Sequence, residues 1–207
     1  MHSTGYVLGF ATAVCVACSL AIAGTALTLK PLQDRNAAID KKKNVLGAAG
    51  LVKDGEVLTG DEVLARYDAQ VKEVVVDTES GQVAAGKSTA DLSAAELAAD
   101  SHKFAADEGR YRPVYLVGTG ANQVIILPVA GKGLWSTVYG FLALKADRRT
   151  VAGVSFYKHG ETPGLGGECE KPAFTNQFAG KVIAGADNQP AFGVAKGKAS
   201  ANTCKNF

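Results

Sequence analysis

The sequence predicts an α+β protein: one N-terminal membrane-spanning helix, then one soluble domain with a mostly antiparallel sheet and flanking helices. Three observations carry that reading. The 22 basic and 20 acidic residues all lie from Lys30 onward. Tyr6–Leu29 is a run of 24 residues without a charge or a histidine, 18 of them apolar. From Arg112 on, short β-branched and aromatic runs alternate with Gly- and Asn-containing turns, the pattern of consecutive hairpins. At 47% hydrophobic and 20% charged over 207 residues the chain has a globular composition, which excludes wholesale disorder and a collagen-like class. A net charge of +2 gives no nucleic-acid footprint.

The first element is the anchor, residues 1–30. Twenty-four helical residues span about 36 Å, enough for a hydrocarbon core of about 30 Å. The run contains no Pro, and Gly9, Ser19 and Gly24 suit close packing against another membrane helix. A cleaved leader fits less well. Ala21-Ile22-Ala23 has small-residue spacing, but the charged n-region is missing and the apolar run continues to Leu29. Cys15 and Cys18 lie one helical turn apart and read as small apolar side chains. The basic flank (Lys30, Arg35, Lys41, Lys42, Lys43) by itself places the body on the cytoplasmic side.

Residues 31–112 form a helical and mixed segment. Leu32, Ala37, Ile39, Val45 and Leu46 continue the helix out of the membrane, and Gly47 and Gly50 end it. Thr59-Gly60-Asp61-Glu62 is an N-terminal cap for a short helix to Gln70. Val71–Asp77 reads as a strand, with a turn at Thr78–Gly81. Residues 86–108 read as a loop and then a surface helix opened by Ser93 and Glu96. His102 on that stretch is a solvated surface residue.

Residues 113–207 form the core of the body. Pro113–Val117 and Gln123–Val129 are strands around the hairpin signal 118–122. Leu134–Leu144 and Thr150–His159 are a second pair around 145–149. A Gly-rich turn, 160–168, leads to a helix over Lys171–Ala179. Ala191–Val194 is a last strand.

Two segments stand out. Glu161-Thr162-Pro163-Gly164-Leu165-Gly166-Gly167-Glu168 packs Pro and Gly tightly enough for close backbone approach. It is either a structural turn or a ligand loop whose N–H groups face an anion or a polar ring edge. It is neither a P-loop nor G-x-G-x-x-G. Gly131-Lys132-Gly133-Leu134-Trp135-Ser136 holds the single Trp between a Gly-rich turn and a strand. Core packing and a ring at the mouth of a pocket are both open readings. No catalytic or metal-ligating set is found: G-x-S-x-G, H-E-x-x-H and C-x-x-C are absent from the soluble body, and the three His are far apart in sequence. A disulfide between Cys169 and Cys204 is open if the body lies outside the cytoplasm.

GLWS (133–136) with HGETPGLGGE (159–168) resembles the C subunit of the sodium-translocating NADH:quinone oxidoreductase. The resemblance extends over essentially the whole chain, including IILPVAGKGLWSTVYGFLAL (125–144) and the single membrane helix with its basic flank. A paralogous flavin subunit of a ferredoxin-linked ion-translocating complex shares ETPGLG but has a different motif in place of GLWS. The resemblance implies one FMN that relays single electrons within a six-subunit membrane oxidoreductase complex. It also implies a bacterial inner-membrane location with a periplasmic soluble domain, against the charge bias.

On that resemblance Gly133, Leu134, Trp135, Ser136, Glu161, Thr162, Pro163, Gly164, Leu165 and Gly166 line the flavin pocket. Trp135 and Leu165 offer apolar surface to the ring, and Thr162 and the turn backbone offer hydrogen bonds. The family joins FMN through its phosphate to a Thr of an S-G-A-[TS]-x-[TS] motif. That motif does not occur in residues 1–207. Ala199-Ser200-Ala201-Asn202-Thr203 is no substitute, since it lacks the Gly that lets the backbone approach a phosphate. The resemblance therefore implies a C-terminally truncated member without covalent FMN. The alternatives are a membrane-tethered non-catalytic binding or assembly module and the paralogous flavin subunit of the ferredoxin-linked complex.

Overall fold

The computed structural model describes residues 3–53, 55–92 and 110–185, with 189, 193 and 194. The chain forms two compact units, Met1–Asp40 and Lys41–Phe207.

In the first unit the apolar run is helical throughout. Helix α1 spans Thr4–Ala48, and its most apolar 18-residue window has a mean hydropathy of 2.2 with none of it buried. It is long and apolar enough to cross a membrane. Thr25 and Thr28 donate their hydroxyl protons to carbonyls three and four residues back, at 2.9–3.0 Å, so the two polar side chains are satisfied within the helix. Pro31 sits inside the helix and withholds one backbone donor there.

The second unit begins with the last turns of α1. Gly50, with φ +73°, ends the helix. Its N–H donates to the Gly47 carbonyl at 2.9 Å, and that of Leu51 to the Leu46 carbonyl at 2.9 Å. These two bonds make a Schellman motif. The Thr59 cap is present as a reciprocal capping box. Thr59 Oγ1 accepts from the Glu62 N–H at 3.4 Å, and Glu62 Oε2 accepts from the Thr59 N–H at 2.8 Å. Helix α2 follows over Gly60–Gln70.

Five strands make one antiparallel meander in the order β1-β2-β3-β4-β5. They are β1 (Val71–Asp77), β2 (Tyr111–Val117), β3 (Val124–Lys132), β4 (Thr137–Leu144) and β5 (Val151–Lys158). Neighbours in sequence pair throughout; short connections join β2 to β3, β3 to β4 and β4 to β5, as antiparallel hairpins allow, whereas residues 78–110 separate β1 from β2. One face receives the two helices. Ser155 Oγ donates to the Asn44 carbonyl at 2.9 Å, and Tyr67 of α2 meets Tyr115 edge-on at 6.5 Å. Val45, Leu46, Val63, Ile126, Phe141 and Val151 are all buried in the resulting core. On the other face of β5, Phe156 meets Phe174 at 6.3 Å.

A close backbone approach fixes where α1 ends on the sheet. A Cβ on Gly153 would lie 2.5 Å from the Ala48 carbonyl oxygen. That atom is backbone, so it cannot swing aside. Gly153→Ala is expected to cost about 1–3 kcal/mol as overpacking. The check is a lower midpoint in urea with an unchanged slope.

Several sequence expectations need correction. The strand expected over Leu134–Leu144 starts only at Thr137, because Leu134–Ser136 form the bent tip between β3 and β4. The helix expected over Lys171–Ala179 is the single turn α3, Pro172–Thr175. Beyond it the chain turns back to the sheet: the Gly180 N–H donates to the Val151 carbonyl at 2.9 Å, and the Val151 N–H to the Lys181 carbonyl at 2.8 Å. In the strand expected over Ala191–Val194, Gly193 and Val194 are not in a strand. Ala191 and Phe192 lie outside the described residues, as do Cys204, the Ser93–Glu96 box and His102.

Candidate functional site

The hairpin of β3 and β4 needs a turn at its tip, and Gly133 provides it. Its N–H donates to the Ser136 carbonyl at 2.8 Å, closing the loop. A Cβ on Gly133 would lie 2.9 Å from both the Glu161 carboxyl carbon and the Ser136 carbonyl oxygen, so only glycine leaves room.

The second segment enters from the end of β5. Thr162-Pro163-Gly164-Leu165 is a tight turn in which the Leu165 N–H donates to the Thr162 carbonyl at 3.1 Å. Pro163 presets the second position, and Gly164 takes φ +76° at the third, as a type II turn requires. The Gly167 N–H bonds the same carbonyl at 3.0 Å. A short 3₁₀ helix, Gly166–Glu170, follows.

Glu161 joins the two segments. It is only 9% exposed. Oε1 accepts from the N–H groups of Trp135 and Ser136, each at 3.0 Å, and Oε2 accepts from that of Leu134 at 3.2 Å. Three successive backbone donors thus surround one carboxylate, a nest for an anion supplied by the chain itself. Ser136 Oγ adds a second tie by accepting from the Gly160 N–H at 2.6 Å. Gly166 closes the rear. A Cβ there would meet Glu161 Cβ and Oε2 at 3.0 Å.

The backbone donors, the one from Ser136 first, hold the Glu161 carboxyl below the usual carboxylate range, against the opposing effect of burial. The stabilisation from this group is therefore full above its unfolded value near 4.5 and is lost as pH falls through the lowered folded value. The hairpin tip should stay ordered from neutral pH down through about 4.5 and loosen only in stronger acid. The anisotropy of Trp135 emission across an acid titration checks this.

What the clamp presents is apolar. Leu134 is 82% exposed, Trp135 72% and Leu165 74%. Trp135 is therefore not a core residue. Thr162, Pro163, Gly164 and Gly166 are also exposed. An exposed aromatic and two leucines on turns this tightly tied are unusual for a merely structural loop. The residues singled out in the sequence are thus brought together, but Glu161 faces its own chain and not the open side. His159, which has no partner legible in the sequence, backs the loop, with Nδ1 accepting from the Glu161 N–H at 3.3 Å. Its Nε2 lies 3.4 Å from a Glu170 carboxylate oxygen, without hydrogen-bond alignment. Its position two residues before Glu161 is the one signal in the sequence for this role. Cys169 is a half-buried free thiol, pushed up chiefly by burial.

The five-stranded meander with its clamped hairpin follows a helix long and apolar enough to cross a membrane, the build of a domain carried on a single helix. Residues 133–203 match the family model of the FMN-binding domain, and that match begins at the hairpin tip. The chain belongs to the family of the C subunit of Na⁺-translocating NADH-quinone reductase. It is 42% identical to that protein from Pseudomonas aeruginosa, covering 99% of this chain and 82% of the relative. With the one from Pasteurella multocida it shares 39% identity over 90% of this chain and 75% of the relative. Crystal structures of the same C subunit from Parabacteroides distasonis and of NqrC from Shewanella oneidensis both superpose with a TM-score of 0.65. Their identities are 27% and 25%, over 84% and 82% of this chain and 80% of each of those chains.

Proposed function

We propose that the platform of Leu134, Trp135 and Leu165 seats the isoalloxazine ring of FMN. The chain thereby serves as an electron-transfer subunit of a sodium-pumping NADH:quinone oxidoreductase. The observation that carries this reading is the exposed pair Leu134 and Trp135, held by the Glu161 clamp where the FMN-binding match begins, with Leu165 exposed on the turn that follows Glu161. The residues fit the group. A flat apolar ring needs flat apolar partners, and Trp135 and Leu165 provide them. The Thr162 hydroxyl and the carbonyls of this turn are the groups offered to a polar ring edge, since Pro163 has no N–H and that of Leu165 is bonded to the Thr162 carbonyl. Bound FMN supplies the one-electron chemistry, and the protein tunes and positions it.

S-G-A-[TS]-x-[TS] does not occur in residues 1–207. Helix α1 anchors the domain in the bacterial inner membrane beside the other subunits of the complex, with the domain on the periplasmic side.

The test is direct. The full chain in detergent is titrated with FMN and passed through gel filtration. Co-elution of flavin is the expected result. No co-elution at any FMN concentration would sink the reading. A strain deleted for its own NqrC then tests the assembly: this chain should restore NADH-driven quinone reduction, and failure to join the other subunits would remove the partner assignment.

A further inference from the structure

We infer that Glu161 is a positioning residue for the flavin platform: its buried carboxylate, through the N–H groups of Leu134, Trp135 and Ser136, sets the hairpin tip that the ring rests on. This rests on the flavin reading above and changes the role of Glu161 from a pocket-lining contact to a clamp behind the pocket.

The side chains of Leu134 and Trp135 are largely exposed. A hairpin tip carrying such side chains has no core contact to fix its orientation. Its backbone is fixed instead, by three donors at 3.0–3.2 Å on one carboxylate. Charge-assisted bonds of this kind are roughly twice as strong as neutral ones. Both glycines that make room, Gly133 and Gly166, do so against Glu161 itself. The arrangement is therefore built around this side chain. It also explains how an apolar surface stays open to receive a ring: preorganisation of the backbone takes the place of packing of the side chains. Glutamine at 161 keeps one acceptor oxygen but turns an N–H₂ group toward backbone donors. Aspartate keeps the charge but is one methylene too short to reach all three donors.

The experiment uses the full chain in detergent, as wild type, Glu161→Gln and Glu161→Asp. Amide hydrogen exchange of Leu134, Trp135 and Ser136 is measured without FMN. FMN affinity is measured separately, by quenching of the single Trp. In wild type the three amides should be protected although the side chains of Leu134 and Trp135 face solvent. In Glu161→Gln they should exchange at least tenfold faster, with exchange in β1 and β2 unchanged, and FMN affinity should fall at least tenfold. Glu161→Asp should lie between the two in both measurements. Unprotected amides in wild type would overturn the clamp. Lost protection with unchanged FMN affinity would overturn the positioning role while leaving the flavin reading intact. Protected amides in a wild-type chain that binds no FMN would overturn the role of the clamp toward flavin together with that reading. A global loss of protection in Glu161→Gln leaves Glu161→Asp to decide: wild-type affinity with the tip amides exposed counts against the inference.

Discussion

Phe141→Ala is expected to destabilise the soluble unit by about 3–5 kcal/mol. Phe141 is fully buried on β4, with paired strands on either side. It stacks on Tyr157 at 4.9 Å with an 18° interplanar angle and meets Tyr115 edge-on at 5.7 Å. Truncation removes both aromatic contacts, each contributing roughly 0.5–1.5 kcal/mol beyond area burial. It also leaves a cavity under the helices. Tyr157 makes relaxation difficult. The register shift between Tyr139 and Gly140 bulges β5 at Tyr157 and aims that ring at Phe141 and, at 6.4 Å, at Tyr139. Urea unfolding followed by far-UV circular dichroism reads the effect as a lower midpoint at constant slope. A midpoint shift equivalent to less than about 1 kcal/mol would show that the ring is not packed as described. Phe141→Leu should lose well under half as much, because volume is largely kept.

The strands and caps are legible in the sequence because their signals are local. Thr59 and Glu62 lie three residues apart, and a capping box needs nothing further. The pairs β2–β3, β3–β4 and β4–β5 follow from short turns between β-rich runs, whereas β1 pairs β2 across residues 78–110 and no local signal announces it. Sequence and structure part where distant residues decide. Leu134–Ser136 read as strand because Trp135 and the following Thr137, Val138 and Tyr139 favour strands. The tip is bent because Glu161, 25 to 27 residues away, captures its N–H groups. Ala173, Phe174, Phe178 and Ala179 have helical spacing, yet the helix stops at Thr175. Phe174 and Phe178 still meet at 5.2 Å, so the apolar pairing persists without the helix, and the bonds of Gly180 and Lys181 to Val151 account for the turn. The site shows the same division. GLWS and ETPGLGG stand out by composition, but the role of Glu161 is a long-range bond that no spacing rule contains.

Trp135→Ala should weaken FMN binding by about 30- to 70-fold while leaving the fold untouched. The indole is 72% exposed, so its removal costs the free protein almost no packing. A ring resting on it would cover roughly 80–100 Å² of apolar surface, and at about 25 cal/mol per Å² this is about 2–2.5 kcal/mol of lost binding. Leu165→Ala should lose less, since an aliphatic side chain offers a smaller face, and Trp135→Phe should recover part of the loss because the flat face remains. The two kinds of readout separate function from stability. Urea midpoints of Trp135→Ala and wild type should agree, whereas a core residue such as Phe141 moves the midpoint first and flavin binding only as a consequence. Binding is read by FMN fluorescence in the variant and by Trp emission in wild type, where the quenched indole is also the proposed contact. An affinity within about twofold of wild type for Trp135→Ala would place the flavin away from the hairpin tip and leave the apolar trio as a surface for docking against the rest of the complex.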